Sequence, residues 1–207
     1  MADRRSPKPL GSKKSTRSGI LYVVSAPSGA GKTTICQSVL QRMPDLLYSV
    51  SYTTRVPRAN EKNGRDYHFI SKRRFEEKID AGEWAEWARV HGNYYGTSAI
   101  FIQRGLENGR QILLDIDVQG TLQIVKKFPD SITIFILPPS FETLRQRLES
   151  RAADSPQVIA ERLQNARWEM DQKDMYRYRI VNDDLETAIC EMIRIIEQCR
   201  SGKPIES

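Results

Sequence analysis

Apolar and polar positions along this chain alternate between two rhythms. Near-continuous apolar runs at 20–25, 111–116, 132–137 and 179–181 predict buried strands. Stretches with apolar residues three and four apart predict helices at 33–43, 98–108, 141–151, 156–175 and 184–199. In the first helix Ile35, Val39 and Met43, with Cys36 and Leu40 beside them, form the apolar stripe, and Pro44 ends it. In the last, Leu185, Ala188, Met192, Ile196 and Cys199 do the same. Strands alternating with helices predict an α/β fold, a mostly parallel sheet covered on both faces. Such sheets bind ligands at the carboxyl ends of their strands.

Two segments break the rhythm. Residues 51–97 are polar and rich in Arg, Asn, Gly and aromatic side chains, with short extended pieces such as 67–70, and read as a small inserted domain. Residues 138–170 begin after Pro138-Pro139 and read as an arginine-rich helical excursion. The core is then expected from 20–50, 98–137 and 171–207, with no internal repeat.

Composition narrows the class. The 207 residues, 39% apolar and 28% charged, suit one globular domain with insertions. No apolar run approaches the roughly 18 residues of a membrane span, and the first residues lack a signal peptide's apolar core. Three cysteines, Cys36, Cys190 and Cys199, without metal-ligand spacing fit reduced thiols in the cytoplasm. The net charge of +6 sits mainly in residues 1–19, where six basic side chains face Asp3 alone. That segment is expected to be a disordered basic tail, so nucleic-acid binding has no support beyond it.

The chemistry begins in the sequence ILYVVSAPSGAGKTT, residues 20–34. A strand, a glycine-containing loop and a lysine opening a helix are the order of a phosphate-binding P-loop. Backbone N–H groups of Ser28, Gly29, Ala30, Gly31 and Thr34 are expected to converge on phosphate oxygens, with Lys32 adding charge and Thr33 a hydroxyl for Mg²⁺. Ala26 departs from the strict pattern, which has glycine at that position. In the insertion, Arg55 and Arg58 flank Pro57, whose ring stiffens the turn. Their guanidinium forks suit a phosphate or carboxylate, and Tyr67 could donate to the same anion. A salt-bridged solvated surface is the competing reading of this segment.

Together APSGAGKTT, SYTTRVPRANEKNGRDYHF, EWARVHGNYYGTS, ILLDIDVQG, PPSFETLRQRLESR and VNDDLETA resemble the guanylate kinase family, particularly its bacterial form, over essentially residues 20–200. The P-loop alone is shared with many nucleotide-binding proteins, whereas TTR-x-x-R followed by G-x-x-Y-x-F is specific to this type. Relatives often carry alanine where Ala26 stands. The resemblance implies a P-loop nucleoside monophosphate kinase fold, with a GMP-binding insertion at 51–97 and a helical lid at 138–170. It implies phosphoryl transfer from ATP to GMP or dGMP with Mg²⁺. Ser51 and Glu86 match residues that contact guanine, and Arg55, Arg58, Tyr67 and Tyr95 match those that hold the GMP phosphate. Gly96 and Thr97 follow in the same substrate segment. Asp115 and Asp117 match acidic residues near metal and acceptor, Asp115 in a position suited to Mg²⁺. Arg151 and Arg162 match lid arginines that close over the triphosphate, and Arg147 either shares that role or is solvated. Asn182 matches a position near the adenine, although Asn182 or Asp183 could instead cap the last helix. His68 and His91 have no role in this scheme. Intact Gly29, Gly31, Lys32 and Thr33 argue against a non-catalytic scaffold module. The sequence leaves the choice between monomer and homodimer open.

Overall fold

The computed structural model describes residues 19–90, 92–150 and 155–202. The expected basic tail, His91 and Arg151 lie outside these, apart from Gly19 at the end of the tail. A five-stranded sheet forms the core, built from β1 (Ile20–Ser25), β2 (Leu47–Tyr48), β7 (Gln111–Asp115), β8 (Ile132–Leu137) and β9 (Tyr178–Val181). Their order is β2-β7-β1-β8-β9, and every pairing is parallel.

The central strand explains the two-sided packing. Successive side chains point to opposite faces, so Tyr22 and Val24 of β1 join one cluster while Leu21 and Val23 join another. The first cluster holds Ile35 and Val39 from α1 (Lys32–Arg42) and Met192 and Ile196 from α7 (Leu185–Ser201). The second holds Ile102 from α3 (Ala99–Glu107) and Ile124 from α4 (Val118–Lys127). Burying each such aliphatic side chain is worth about 1.5–3 kcal/mol, so the run of apolar residues is itself the fold's main specification. The buried Tyr22 hydroxyl donates to the Ile196 carbonyl at 3.2 Å, satisfying the one polar group this strand buries in that face.

A second sheet lies within the insertion, ordered β4-β3-β6-β5. Its strands are β3 (Tyr52–Thr53), β4 (His68–Phe69), β5 (Trp84–Val90) and β6 (Asn93–Ser98), with α2 (Lys72–Asp80) packed beside them. Phe75 of α2 stacks on Trp84 at 4.3 Å and on Tyr94 at 5.1 Å between ring centroids. A Cβ at Gly96 would stand 2.9 Å from the Phe75 ring, which explains why the strand carries glycine there. The β5–β6 register shifts between Trp84 and Glu86, a bulge that sets Glu86 opposite Thr97.

The predicted elements differ from the structure in identifiable places. The helix expected over 156–175 is α6 (Pro156–Asp171) followed by a separate tight turn, Lys173–Met175. Helix α5 (Phe141–Glu149) stops before Arg151. Helices α2 and α4 have no counterpart in the predicted set. The last helix is capped by neither Asn182 nor Asp183: the Asp184 carboxylate accepts from the Thr187 N–H at 2.8 Å. Side-chain N-caps from Ser71, Ser98, Ser140 and Ser155 likewise start α2, α3, α5 and α6, the last with Pro156 in its first turn.

Candidate active site

Strand β1 runs straight into the glycine loop and then α1. Gly29 and Gly31 adopt φ values of 96° and 92°, a region that strains any side chain. Gly31 caps α1 without a side-chain hydrogen bond, so the first-turn N–H groups remain available to an anion. The loop, with Glu169 and Asp117, lines a cavity of about 320 Å³. Ala26 is buried with the core beneath it, where a methyl group is accommodated.

Lys32 opens α1 and reaches across to the end of β7. Its ammonium pairs with the Asp115 carboxylate and donates to the Ile116 carbonyl at 3.1 Å. Burial works against the ammonium, but the charge of Asp115 prevails and raises its pKa above the ordinary lysine value. Lys32 therefore stays charged at the mouth of the loop. Asp117 follows one residue beyond Ile116 and caps α4, its Oδ1 accepting from the Gly120 N–H at 2.7 Å.

A neighbouring cavity of about 290 Å³ joins both sheets. Lys32, Asp115 and Asp117 line it from the core, and Ser51, Tyr67, Glu86, Tyr95 and Gly96 line it from the insertion. Glu86 is only 5% exposed. Thr97 lies behind it and donates its hydroxyl to Oε1 at 2.5 Å. Burial, augmented by the nearby Asp117 charge and opposed by Thr97 and Lys127, pushes the Glu86 carboxyl up to about 7. A buried carboxylate that lines this cavity, with one oxygen held by Thr97, is suited to a paired-donor edge.

The arginines are placed less uniformly. Arg55 donates to Glu61 at 2.7 Å and to the Val56 carbonyl at 3.0 Å, with its guanidinium 5.5 Å from the Tyr67 ring centroid. Glu61 also accepts from the Arg58 N–H at 2.8 Å, so one carboxylate ties both ends of the turn around Pro57. The side chain of Arg58 is exposed and stands outside the cavity lining. Tyr67 and Tyr95 meet edge to face at 5.9 Å. Arg162 lies on α6, two helical turns before Glu169 and so on the same side of the helix.

On the other side of the loop, Asn182 is buried, and its amide donates to the Ala30 carbonyl at 2.7 Å. Its own carbonyl accepts from Arg147 at 3.1 Å. Gly29, Gly31, Thr34, Arg147, Asn182 and Asp183 border a cavity of about 350 Å³ there. With Asp184 serving as the cap, Asn182 is left to brace the loop.

Glu169 is the residue that sequence reasoning missed. It lines the loop cavity together with Ser28, and burial raises its carboxyl to about 7, with the Ser28 N–H and Lys32 opposing and the charge of Asp117 adding. Nothing in the polar pattern of α6 distinguishes it; only the fold brings it to the loop.

Among the described residues no cluster of three or more His, Cys, Asp or Glu side chains is arranged to hold a metal, and no helix is long and apolar enough to cross a membrane. A family model described as guanylate kinase matches residues 18–199. A guanylate kinase of Geobacter sulfurreducens is 48% identical over 193 residues, covering 92% of this chain and 95% of that protein. One of Syntrophotalea carbinolica is 49% identical over 189 residues, 90% of each. The crystal structure of guanylate kinase from Anaplasma phagocytophilum superposes with a TM-score of 0.72 at 31% identity, covering 92% of this chain and 89% of that one.

Proposed function

Because this chain belongs to the guanylate kinase family and transfers a phosphoryl group from ATP to GMP, we propose that GMP occupies the cavity between the two sheets and ATP the glycine loop. The observation that carries this assignment is a single cleft bordered by Lys32 and Asp115 on one side and by Ser51, Tyr67, Glu86 and Tyr95 on the other. Guanine offers an N1–H and an N2 amine side by side, and Glu86 accepts both, with Ser51 at the same edge. Arg55, Tyr67 and Tyr95 hold the acceptor phosphate, and exposed Arg58 swings in to complete the grip. None of these contacts involves the sugar 2′-hydroxyl, so dGMP is an acceptor as well.

The GMP phosphate is already an anionic nucleophile near neutral pH, so transfer needs alignment and charge neutralisation rather than a strong base. Lys32 leaves Asp115 for the triphosphate, and Arg162, with Arg151 beyond the described residues, neutralises charge from the lid at 138–170. Thr33 and Asp115 border a common cavity, and a hydroxyl with one carboxylate fits Mg²⁺, which takes its other ligands from phosphates and water. Held there by Thr33 and Asp115, Mg²⁺ would supply positive charge against the developing charge of the transferring phosphoryl group. Asn182 and Arg147 border the adenine side. Unpaired cysteines suit work in a reducing cytoplasm on purine nucleotides.

Calorimetric titration of GMP into the wild type and Arg58→Ala tests the acceptor grip. The variant should bind GMP about tenfold or more weakly, the loss of a charge-assisted contact, while its affinity for an ATP analogue stays within about twofold. Unchanged GMP affinity would remove Arg58 from the grip.

A further inference from the structure

The carboxylate of Glu86 is held from the insertion side by Thr97, but its second oxygen lies against α4, an element of the core. The face of α4 turned toward β5 carries Gly120, Gln123 and Lys127, spaced three and four apart. Gln123 clasps the backbone of Trp87, accepting from its N–H at 3.2 Å and donating to its carbonyl at 2.9 Å. Lys127 donates to the Trp84 carbonyl at 2.7 Å. The strand is thus pinned to the helix on both sides of Glu86. One turn before Gln123 on the same helix stands buried Gly120, where a Cβ would fall 2.9 Å from Glu86 Oε2, 3.3 Å from its Cδ and 3.2 Å from Asp117 Oδ1.

We propose that this face of α4 is a brace that sets the reach of Glu86, and that Gly120 is a positioning residue for guanine selectivity. The proposal rests on Glu86 being the guanine contact. Gly120 lies inside a helix with no backbone strain, so its lack of a side chain answers to the carboxylate it faces. An added methyl group meets the movable end of a side chain rather than backbone. The fold therefore accommodates Gly120→Ala by displacing the Glu86 carboxylate, and alanine is the better helix former. The displaced oxygen no longer meets two donors whose positions the acceptor phosphate grip has fixed.

Steady-state kinetics of Gly120→Ala should show KM for GMP raised on the order of tenfold, because small misplacements of a recognition group are costly. KM for ATP should stay within about twofold, and the thermal midpoint should stay within about 2 °C of wild type or rise. Glu86→Asp withdraws the carboxylate from Gly120, so the double variant should be no worse for GMP than Glu86→Asp alone, a non-additivity diagnostic of direct contact. Gln123→Ala, which loosens the brace without touching the helix–carboxylate contact, should also raise KM for GMP selectively. Equal rises in both KM values, unchanged KM for GMP, or additive losses in the double variant would each overturn the brace. Those results would leave the guanine contact intact provided Glu86→Gln still loses GMP; if Glu86→Gln also kept wild-type KM, the assignment of Glu86 itself would fall.

Discussion

Replacing Glu86 by glutamine should make the protein more stable and far less active, with the stability gain confined to neutral and alkaline pH. The carboxyl is 5% exposed, and its pKa is raised from 4.5 to about 7. The folded state therefore binds a proton more tightly than the unfolded chain between those values, so this group's contribution to stability falls as pH rises through that window. Above pH 7 the full displacement corresponds to about 3 kcal/mol against folding, an upper bound for one buried carboxylate. Glutamine keeps the shape and can still accept from Thr97, but carries no charge. In urea melts without nucleotide, Glu86→Gln should gain about 1–3 kcal/mol over wild type at pH 8 and almost nothing at about pH 4. Glu169, whose carboxyl also rises to about 7, is common to both proteins and cancels from the comparison. Activity should move the other way. An amide turns an N–H toward a donor edge, and the loss in kcat/KM for GMP should be about 10²–10³, with KM for ATP unchanged. In wild type, KM for GMP should rise as pH falls below about 7, because the protonated carboxyl can no longer accept from both donors. A stability difference independent of pH, or undiminished GMP turnover, would refute the reasoning.

Two further outcomes follow from the loop. Lys32→Met should lower kcat by about 10³ or more, the scale of losing one preorganised charge at a transferring phosphoryl group, and undiminished GDP formation would remove Lys32 from that role. Chelating divalent cations should abolish transfer and Mg²⁺ should restore it, with Asp115→Asn shifting the restoring concentration upward; full activity in excess chelator would exclude the metal site at Thr33 and Asp115.

How legible these parts are in the sequence depends on how local their causes are. The P-loop is written in consecutive residues, since two glycines with positive φ must precede a lysine that opens the helix. Strands β1 and β8 are legible because helices cover both faces, leaving almost no polar interruption. Helix α4 escapes the pattern because its inward face includes Gly120, Thr121 and Gln123, chosen for contacts with Glu86, Ser25 and Trp87 rather than for apolar burial. Strand β5 is disguised likewise by a buried glutamate and a bulge. Such local inconsistencies are expected where function overrides packing. Asn182 could be read as a cap until the structure assigned that role to Asp184, two residues on. Glu169 is illegible, because its meaning arises only when α6 crosses the loop.

The central claim is that one cleft pairs a triphosphate loop with a site that reads guanine. Its most direct test is the initial rate of ATP-dependent phosphorylation across GMP, AMP, dTMP and UMP, measured side by side by coupled ADP release. The account predicts that GMP exceeds each of the others in kcat/KM by about 10³ or more, because a site built to accept from two donors rejects bases that lack them. Turnover of AMP, dTMP or UMP matching or exceeding that of GMP would contradict it.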